Sequence, residues 1–162
     1  MKQLTEELFS YSMILSAGDI VLESVDMVPV LEESVAGFYG PMKVRGIEPV
    51  IHMPEGPVIR WLNRAALSRI FGNILSNALK YSAGDLEIIL LESGEVRFSN
   101  SASDLNDVQV GRLFDRFFTV EAARSSTGLG LAIAKTLVER MDGIIGAELQ
   151  AETLTIHISF GA

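Results

Sequence analysis

The sequence predicts an α/β fold in which helices cover one face of a mixed sheet, and three observations predict it. Two long stretches, Arg64 to Tyr81 and Gly128 to Met141, carry apolar residues at helical spacing. Short alternating stretches bounded by turn residues form hairpins, one around Ser93-Gly94 and one closing the chain. Helices and strands do not alternate strictly along the chain, which argues against a doubly wound parallel sheet.

In chain order, Met1 to Ser16 places Leu4, Leu8, Phe9, Tyr11 and Leu15 at roughly helical spacing and reads as the end of a helix. Asp19 to Met27 alternates as a strand. Pro29 opens a helix running to about Arg45, since proline is tolerated in a first turn, and Gly46 ends it. Ile47 to Met53 is a strand, Pro54 to Pro57 a turn and Val58 to Leu62 a short strand. Asn63 then caps the helix Arg64 to Tyr81. Leu86 to Leu91 and Glu95 to Asn100 make the first hairpin. Ser101 to Thr127 is polar, mostly irregular and longer than compact domains usually accept in a connection, the pattern of an active-site lid. Gly128 to Met141 is the second long helix, ended by Asp142-Gly143. Ile144 to Gln150 and Leu154 to Phe160 form the closing hairpin.

The length of 162 residues fits one domain with a short extra piece, and 48% hydrophobic residues are enough for a buried core. With no cysteine, a disulfide framework and thiolate chemistry are excluded. A net charge of −8 makes the chain a poor nucleic-acid binder. Any polyanionic ligand must therefore be met by a local gathering of cations and backbone dipoles. No apolar stretch is long enough to cross a bilayer without interrupting charges.

Three groups of residues fit that requirement. On the first long helix, Ile70, Phe71, Ile74 and Ala78 form the apolar face, and Asn73, Asn77 and Lys80 stand in one stripe beside it. Two amides and an ammonium in a row suit magnesium and phosphate oxygens; the same stripe also suits a solvated polar edge. At the start of the second long helix, Ser126-Thr127-Gly128-Leu129-Gly130-Leu131-Ala132 lets backbone N–H groups approach an anion that the helix dipole favours. An ordinary loop-to-helix junction has the same composition. No Gly-Lys-Ser/Thr follows, so this is not a P-loop. Within the long loop, Leu113-Phe114 and Phe117-Phe118 could anchor a lid and leave Arg116 and Arg124 to meet phosphate; a short helix with solvated charges reads the same way.

The order and spacing of these groups closely resemble the catalytic domain of bacterial sensor histidine kinases, within the wider group that includes gyrase, Hsp90 and MutL. The resemblance runs from about Val25 to Phe160 and rests on Asn73 to Ser82, on Phe114-Asp115-Arg116-Phe117 and on Thr127-Gly128-Leu129-Gly130-Leu131-Ala132-Ile133. It implies a two-layer α/β sandwich of the Bergerat type, with a mixed, mainly antiparallel sheet on one side and helices on the other. ATP would lie between the helices under a lid at about 101–127. By the same resemblance Asn77 is the magnesium ligand, with Asn73 one turn earlier. Lys80 and Tyr81 contact phosphate and the nucleoside, and Arg116 and Arg124 are lid cations near the γ-phosphate. Thr127, Gly128, Leu129, Gly130 and Leu131 form the glycine box on the triphosphate.

Two departures stand out. The family places Asp-x-Gly-x-Gly after the hairpin, where the aspartate accepts a hydrogen bond from the adenine amino group. Here the chain reads Phe98-Ser99-Asn100-Ser101-Ala102-Ser103-Asp104. Asn100 is the positional match, an acceptor without charge, and Asp104 is a second candidate. The other departure concerns the phosphoacceptor. Neither His52 nor His157 begins a long amphipathic helix, so both read as structural or surface residues, and the acceptor is expected outside this chain.

Residues 1–18 then read as the tail of the dimerisation hairpin and 19–162 as the catalytic domain. The resemblance implies Mg2+ and ATP as cofactors, the histidine-bearing hairpin as partner, and a response regulator reached through the full-length kinase. It implies no nucleic-acid partner, and a cytoplasmic location within a membrane-anchored parent. The isolated piece is expected to be mostly monomeric and inactive by itself. Alternatives are a nucleotide-binding module without kinase activity, a gyrase- or Hsp90-type ATPase, or an anti-sigma-factor kinase. In the ATPases a glutamate stands one turn before the magnesium asparagine; here that place holds Asn73, which cannot act as a base. The helical tail before Val25 and the Phe-x-Arg-Phe lid argue against the anti-sigma-factor kinase.

Overall fold

The computed structural model describes residues 20–103, 105–115 and 129–161. In chain order the described elements are β1 (Glu23–Asp26), α1 (Met27–Gly37), α2 (Tyr39–Val44), β2 (Glu48–His52), β3 (Ile59–Leu62), α3 (Arg64–Tyr81), β4 (Asp85–Leu90), β5 (Glu95–Ser101), α4 (Asp107–Val110), α5 (Gly130–Arg140), β6 (Ile144–Gln150) and β7 (Thr153–Ser159). Five strands form the main sheet in the order β2-β4-β5-β7-β6. Only the β2–β4 pair is parallel; the other three pairs are antiparallel. β1 and β3 leave the main sheet and pair with each other as an antiparallel ribbon.

The helices lie on one face of this sheet. Along β4, β5 and β7 every second residue is buried: Leu86, Ile88 and Leu90, then Val96, Phe98 and Asn100, then Leu154, Ile156 and Ile158. This period of two turns one face of each strand inward. Against it α3 sets Leu67, Ile70, Phe71, Ile74, Leu75 and Ala78, and α5 sets Ile133, Leu137 and Val138. Phe71 meets Phe98 with ring centroids 6.0 Å apart, within the range of favourable tilted pairs. The outer face is polar. It carries both histidines, His52 with Nε2 3.3 Å from Glu87 and His157 with Nε2 3.8 Å from Glu148. This is the mixed, mainly antiparallel α/β sandwich that the sequence leads one to expect.

Local chemistry fixes the element ends. The Asp26 carboxylate accepts from Val28 N–H and from Val58 N–H, both at 3.1 Å, so one side chain caps α1 and ties it to the approach of β3. Asn63 Oδ1 accepts from Ala66 N–H at 2.9 Å, the cap expected for α3, while its Nδ2 donates to the Val21 carbonyl at 2.9 Å. At the other end of α3, Arg45 donates to the carbonyls of Leu79 and Ser82, placing a cation where the helix dipole is negative.

The helix expected from Pro29 to Arg45 is two helices, broken at Phe38. Pro41 explains the break. In one continuous helix its missing N–H would leave the Gly37 carbonyl without its partner and its ring would strike that carbonyl. Starting a new helix at Tyr39 puts Pro41 in a first turn, where neither cost arises. The loop expected after Asn100 is also more ordered at its start. Ser101 still belongs to β5, and α4 is held by a reciprocal capping box between Asn106 and Gln109. Leu113 is buried and Phe114 packs against the core. Phe117 and Phe118 lie outside the described residues.

Both antiparallel hairpin turns of the main sheet carry left-handed backbone. Gly94, in the β4–β5 hairpin, has φ +91, and a Cβ there would sit 2.6 Å from the Phe160 carbonyl oxygen and 2.8 Å from Arg60 Nε. Glycine alone fits. The β6–β7 hairpin turns through two consecutive left-handed residues without glycine: Ala151 and Glu152 have φ of 49 and 64. A turn of this hand prefers Asn-Gly. The double substitution Ala151→Asn/Glu152→Gly should therefore stabilise the domain by about 1 kcal/mol, read as a higher urea midpoint with an unchanged slope. Among the described residues no helix is long and apolar enough to cross a membrane.

Candidate functional site

The site is built on the side of α3 that faces α5. Ile70, Ile74 and Ala78 turn toward the core, and helical spacing carries Asn73 and Asn77 beside them. Asn73 is half-buried, and its Nδ2 donates to the Gly130 carbonyl at 2.8 Å. That bond latches α3 to the first residue of α5. One turn on, Asn77 is 6% exposed. Its Nδ2 is the one buried side-chain nitrogen or oxygen without a hydrogen-bond partner among the described residues. A buried donor left unmade costs about 1–3 kcal/mol, so this amide fits an absent polar ligand. The solvated polar edge is excluded for Asn77 by its burial. Lys80 and Tyr81 follow, half-buried, on the last turn of α3.

The second wall is the start of α5. Leu129 and Leu131 are buried and Gly130 is half-buried. The N-cap residue Leu129 makes no side-chain capping bond, and the first turn of the helix contains no acid. The first turn of this eleven-residue helix thus sets no carboxylate of its own against the positive end of the dipole. Thr127, Gly128, Arg116, Arg124 and Asp104 lie outside the described residues.

The third wall is the end of β5. Asn100 is 3% exposed and sits on the inner face after Phe98. Its Nδ2 donates to the Ser101 carbonyl at 2.9 Å. Ala83 N–H, just past α3, donates to the same carbonyl at 3.3 Å, which brings Asn100 to the end of α3 that carries Asn77, Lys80 and Tyr81. Neither glycine of the family's Asp-x-Gly-x-Gly pattern is present. Ala102 and Asp104 stand in their places, and between Asn100 and Ala102 the Ser101 residue donates its N–H and its hydroxyl to Asp85, at 2.8 and 2.6 Å.

Asp85 is the residue of this region that sequence reasoning misses. Its signal is the turn Ser82-Ala83-Gly84-Asp85, where the Ser82 hydroxyl oxygen accepts from Gly84 N–H at 3.0 Å and Asp85 N–H at 2.9 Å. Partial burial pushes the Asp85 carboxyl up, but hydrogen bonds from the Ser101 hydroxyl, the Ser101 N–H and the Ser82 hydroxyl outweigh it and hold the group below the ordinary aspartate value. A depressed folded-state value means that the ionised group stabilises the fold above the unfolded-state pKa of about 3.9. That contribution is lost as pH falls through the lower folded-state value. Asp85→Asn should thus be less stable than the parent chain near neutrality and converge with it in acid. Urea midpoints measured across the acid limb check this, and a constant gap at all pH values would refute it.

This arrangement of helices, sheet and buried amides corresponds to a known family. Residues 63–161 match the family described as histidine kinase-, DNA gyrase B-, and HSP90-like ATPase. The sensor histidine kinase YcbM of Bacillus subtilis strain 168 is 32% identical over 139 residues, covering 80% of this chain and 45% of that protein. The histidine kinase AdeS of Acinetobacter baumannii superposes with a TM-score of 0.78 at 21% identity, over 99% of this chain and 77% of that one. Full-length ShkA, solved in complex with AMPPNP, also gives a TM-score of 0.78 at 21% identity, over 99% of this chain and 36% of that one. The chain belongs to this ATPase family, as the catalytic domain of a bacterial sensor histidine kinase. It spans less than half the length of the curated relative YcbM.

Proposed function

We propose that this domain binds ATP with magnesium and presents the γ-phosphoryl group to a histidine of the parent kinase. The observation that carries the reading is Asn77, a buried amide with an unsatisfied end, one turn along α3 from the Asn73 bond to the first residue of α5. Its oxygen is the one protein ligand the metal needs, because magnesium keeps several waters and takes phosphate oxygens besides. When bound, the metal neutralises charge on the leaving phosphates.

The chain's own residues then have separable tasks. Lys80 and Tyr81 close the end of α3 over phosphate and nucleoside. Gly130, Leu129 and Leu131 hold the α5 terminus, with Thr127 and Gly128, against the triphosphate. Arg116 and Arg124 bring cations from the lid, and Asn100 accepts from the adenine amino group. Asn73 has no basic atom to deprotonate water, and its amide is already committed to Gly130. This favours transfer to a docked side chain over hydrolysis. The chain then contributes positioning and electrostatics, as phosphoryl transfer requires. The incoming nucleophile is a neutral histidine nitrogen of the dimerisation hairpin, which takes the phosphoryl group as ADP leaves. A response regulator is the onward acceptor, the domain works on the cytoplasmic side of a membrane-anchored parent, and residues 1–18 are the tail of the hairpin.

A second reading, nucleotide binding without transfer, is favoured by the neutral Asn100 where the family has a carboxylate. Titration calorimetry with a non-hydrolysable ATP analogue and magnesium tests binding. Radiolabel transfer in the full-length parent kinase then separates the two readings. Binding with transfer to a histidine supports the kinase, binding without transfer supports the second reading, and steady release of phosphate by the domain alone refutes both.

A further inference from the structure

The carboxamide of Asn100 has two chemically different ends, and its surroundings decide which one faces the site. Nδ2 donates to the Ser101 carbonyl at 2.9 Å. Turned over, the amide would set its oxygen against that carbonyl oxygen, two acceptors with no proton between them. The orientation therefore depends on how firmly the Ser101 carbonyl is aimed. Ser101 is held at both of its peptide groups: its N–H and hydroxyl donate to Asp85 at 2.8 and 2.6 Å, and its carbonyl, in the next peptide group, accepts from Ala83 N–H at 3.3 Å. The next N–H, of Ala102, donates to the Glu152 carbonyl at 2.7 Å. Asp85 is itself anchored by the Ser82 hydroxyl at 3.2 Å.

We propose that Asp85 is a positioning residue for base selection: acting through Ser101, it keeps the Asn100 carboxamide oxygen toward the bound base, so that the domain selects a purine with an amino group at position 6 over one with a carbonyl there. The inference rests on the nucleotide-binding reading above. An aspartate at position 100 would need no such device, since both its oxygens accept. An asparagine does, because a flipped amide offers N–H groups and welcomes the carbonyl instead. A site that hydrogen-bonds one group discriminates strongly against a ligand that leaves its buried partner unpaired. Asp85 is exposed, on the strand face opposite Asn100, so its effect reaches the base only through Ser101.

The test is competition of ATP and of inosine triphosphate against a fluorescent ATP analogue, with magnesium. Inosine carries a carbonyl in place of the amino group at position 6 and with it a proton on N1, so the change in the ratio between variants, not its absolute value, reads the contact with Asn100. The parent chain should prefer ATP by about 10–100-fold, the value of one hydrogen bond to a buried group. Asp85→Ala should cut that ratio about tenfold. Ser101→Ala, which keeps the N–H bond and loses the hydroxyl bond, should cut it less and serves if Asp85→Ala does not fold. In an Asn100→Asp background, Asp85→Ala should leave the ratio unchanged, because a flipped carboxylate still presents an acceptor.

A purely structural role for Asp85 would weaken both nucleotides equally and leave the ratio intact in both backgrounds, which would overturn the proposal. Equal affinity of the parent chain for the two nucleotides would overturn it while leaving nucleotide binding standing. Failure of both to bind would overturn the two together.

Discussion

Asn77→Ala should weaken Mg-nucleotide binding by about 10–100-fold while the protein becomes no less stable. The first half follows from the role proposed for Asn77: one ligand bond to a charged group is worth about 1.5–3 kcal/mol. The second half follows from the structure without ligand. Asn77 is 6% exposed and its Nδ2 has no partner. Truncation removes an unsatisfied donor whose burial costs about 1–3 kcal/mol, and alanine is the better helix former. Against this stands a small cavity, so the net is near zero or favourable, a rise of up to about 4 °C in melting temperature for a chain of this size. Calorimetric titration and thermal unfolding on the same samples check both halves. A variant that loses several degrees would mean that Asn77 is a structural residue, and the case for a ligand at this amide would fall.

Phe71→Ala is expected to have the largest effect on stability, a loss of about 3–5 kcal/mol. Phe71 is fully buried at the centre of α3, where it joins the helix layer to Phe98 of β5. Its removal leaves a cavity between two layers that cannot collapse without moving a strand. Native domains hold only about 5–15 kcal/mol in total, so the variant should be partly unfolded at 37 °C. The urea midpoint measures it. Phe71→Leu, which keeps most of the volume, should recover more than half of the loss.

The parts of this fold legible in the sequence are those set by local chemistry. The stripe of Leu67, Ile70, Phe71 and Ile74 specifies α3 on its own, and Asn63 marks its start. The alternation in β5 and β7 specifies which face is buried. The break at Phe38 is not read from periodicity, because the apolar spacing runs on through it; only the missing N–H of Pro41 interrupts the helix. The pairing of β1 with β3, away from the main sheet, depends on contacts between segments far apart in the chain. In the site, spacing along α3 is enough to put Asn73, Asn77 and Lys80 on one side. That Asn77 is buried rather than solvated depends on what the tertiary fold brings against the last turns of α3, a long-range event. The Asp85–Ser101 bonds escape notice for a similar reason. They join residues sixteen apart that meet only because β4 and β5 pair.

The strand order carries a consequence for how the chain is made. β7 lies between β5 and β6, yet it is the last strand in sequence. On a ribosome, β4 and β5 emerge early and must wait with one long edge unfilled until residues near Ser159 are released. Pairings between distant segments are slow to form, because loop-closure entropy is lost before contacts compensate. An unpaired edge that waits is open to association with other chains. Folding of this domain is thus tied to the release of β7, and its least protected moment is the interval between the exit of β5 and the exit of β7.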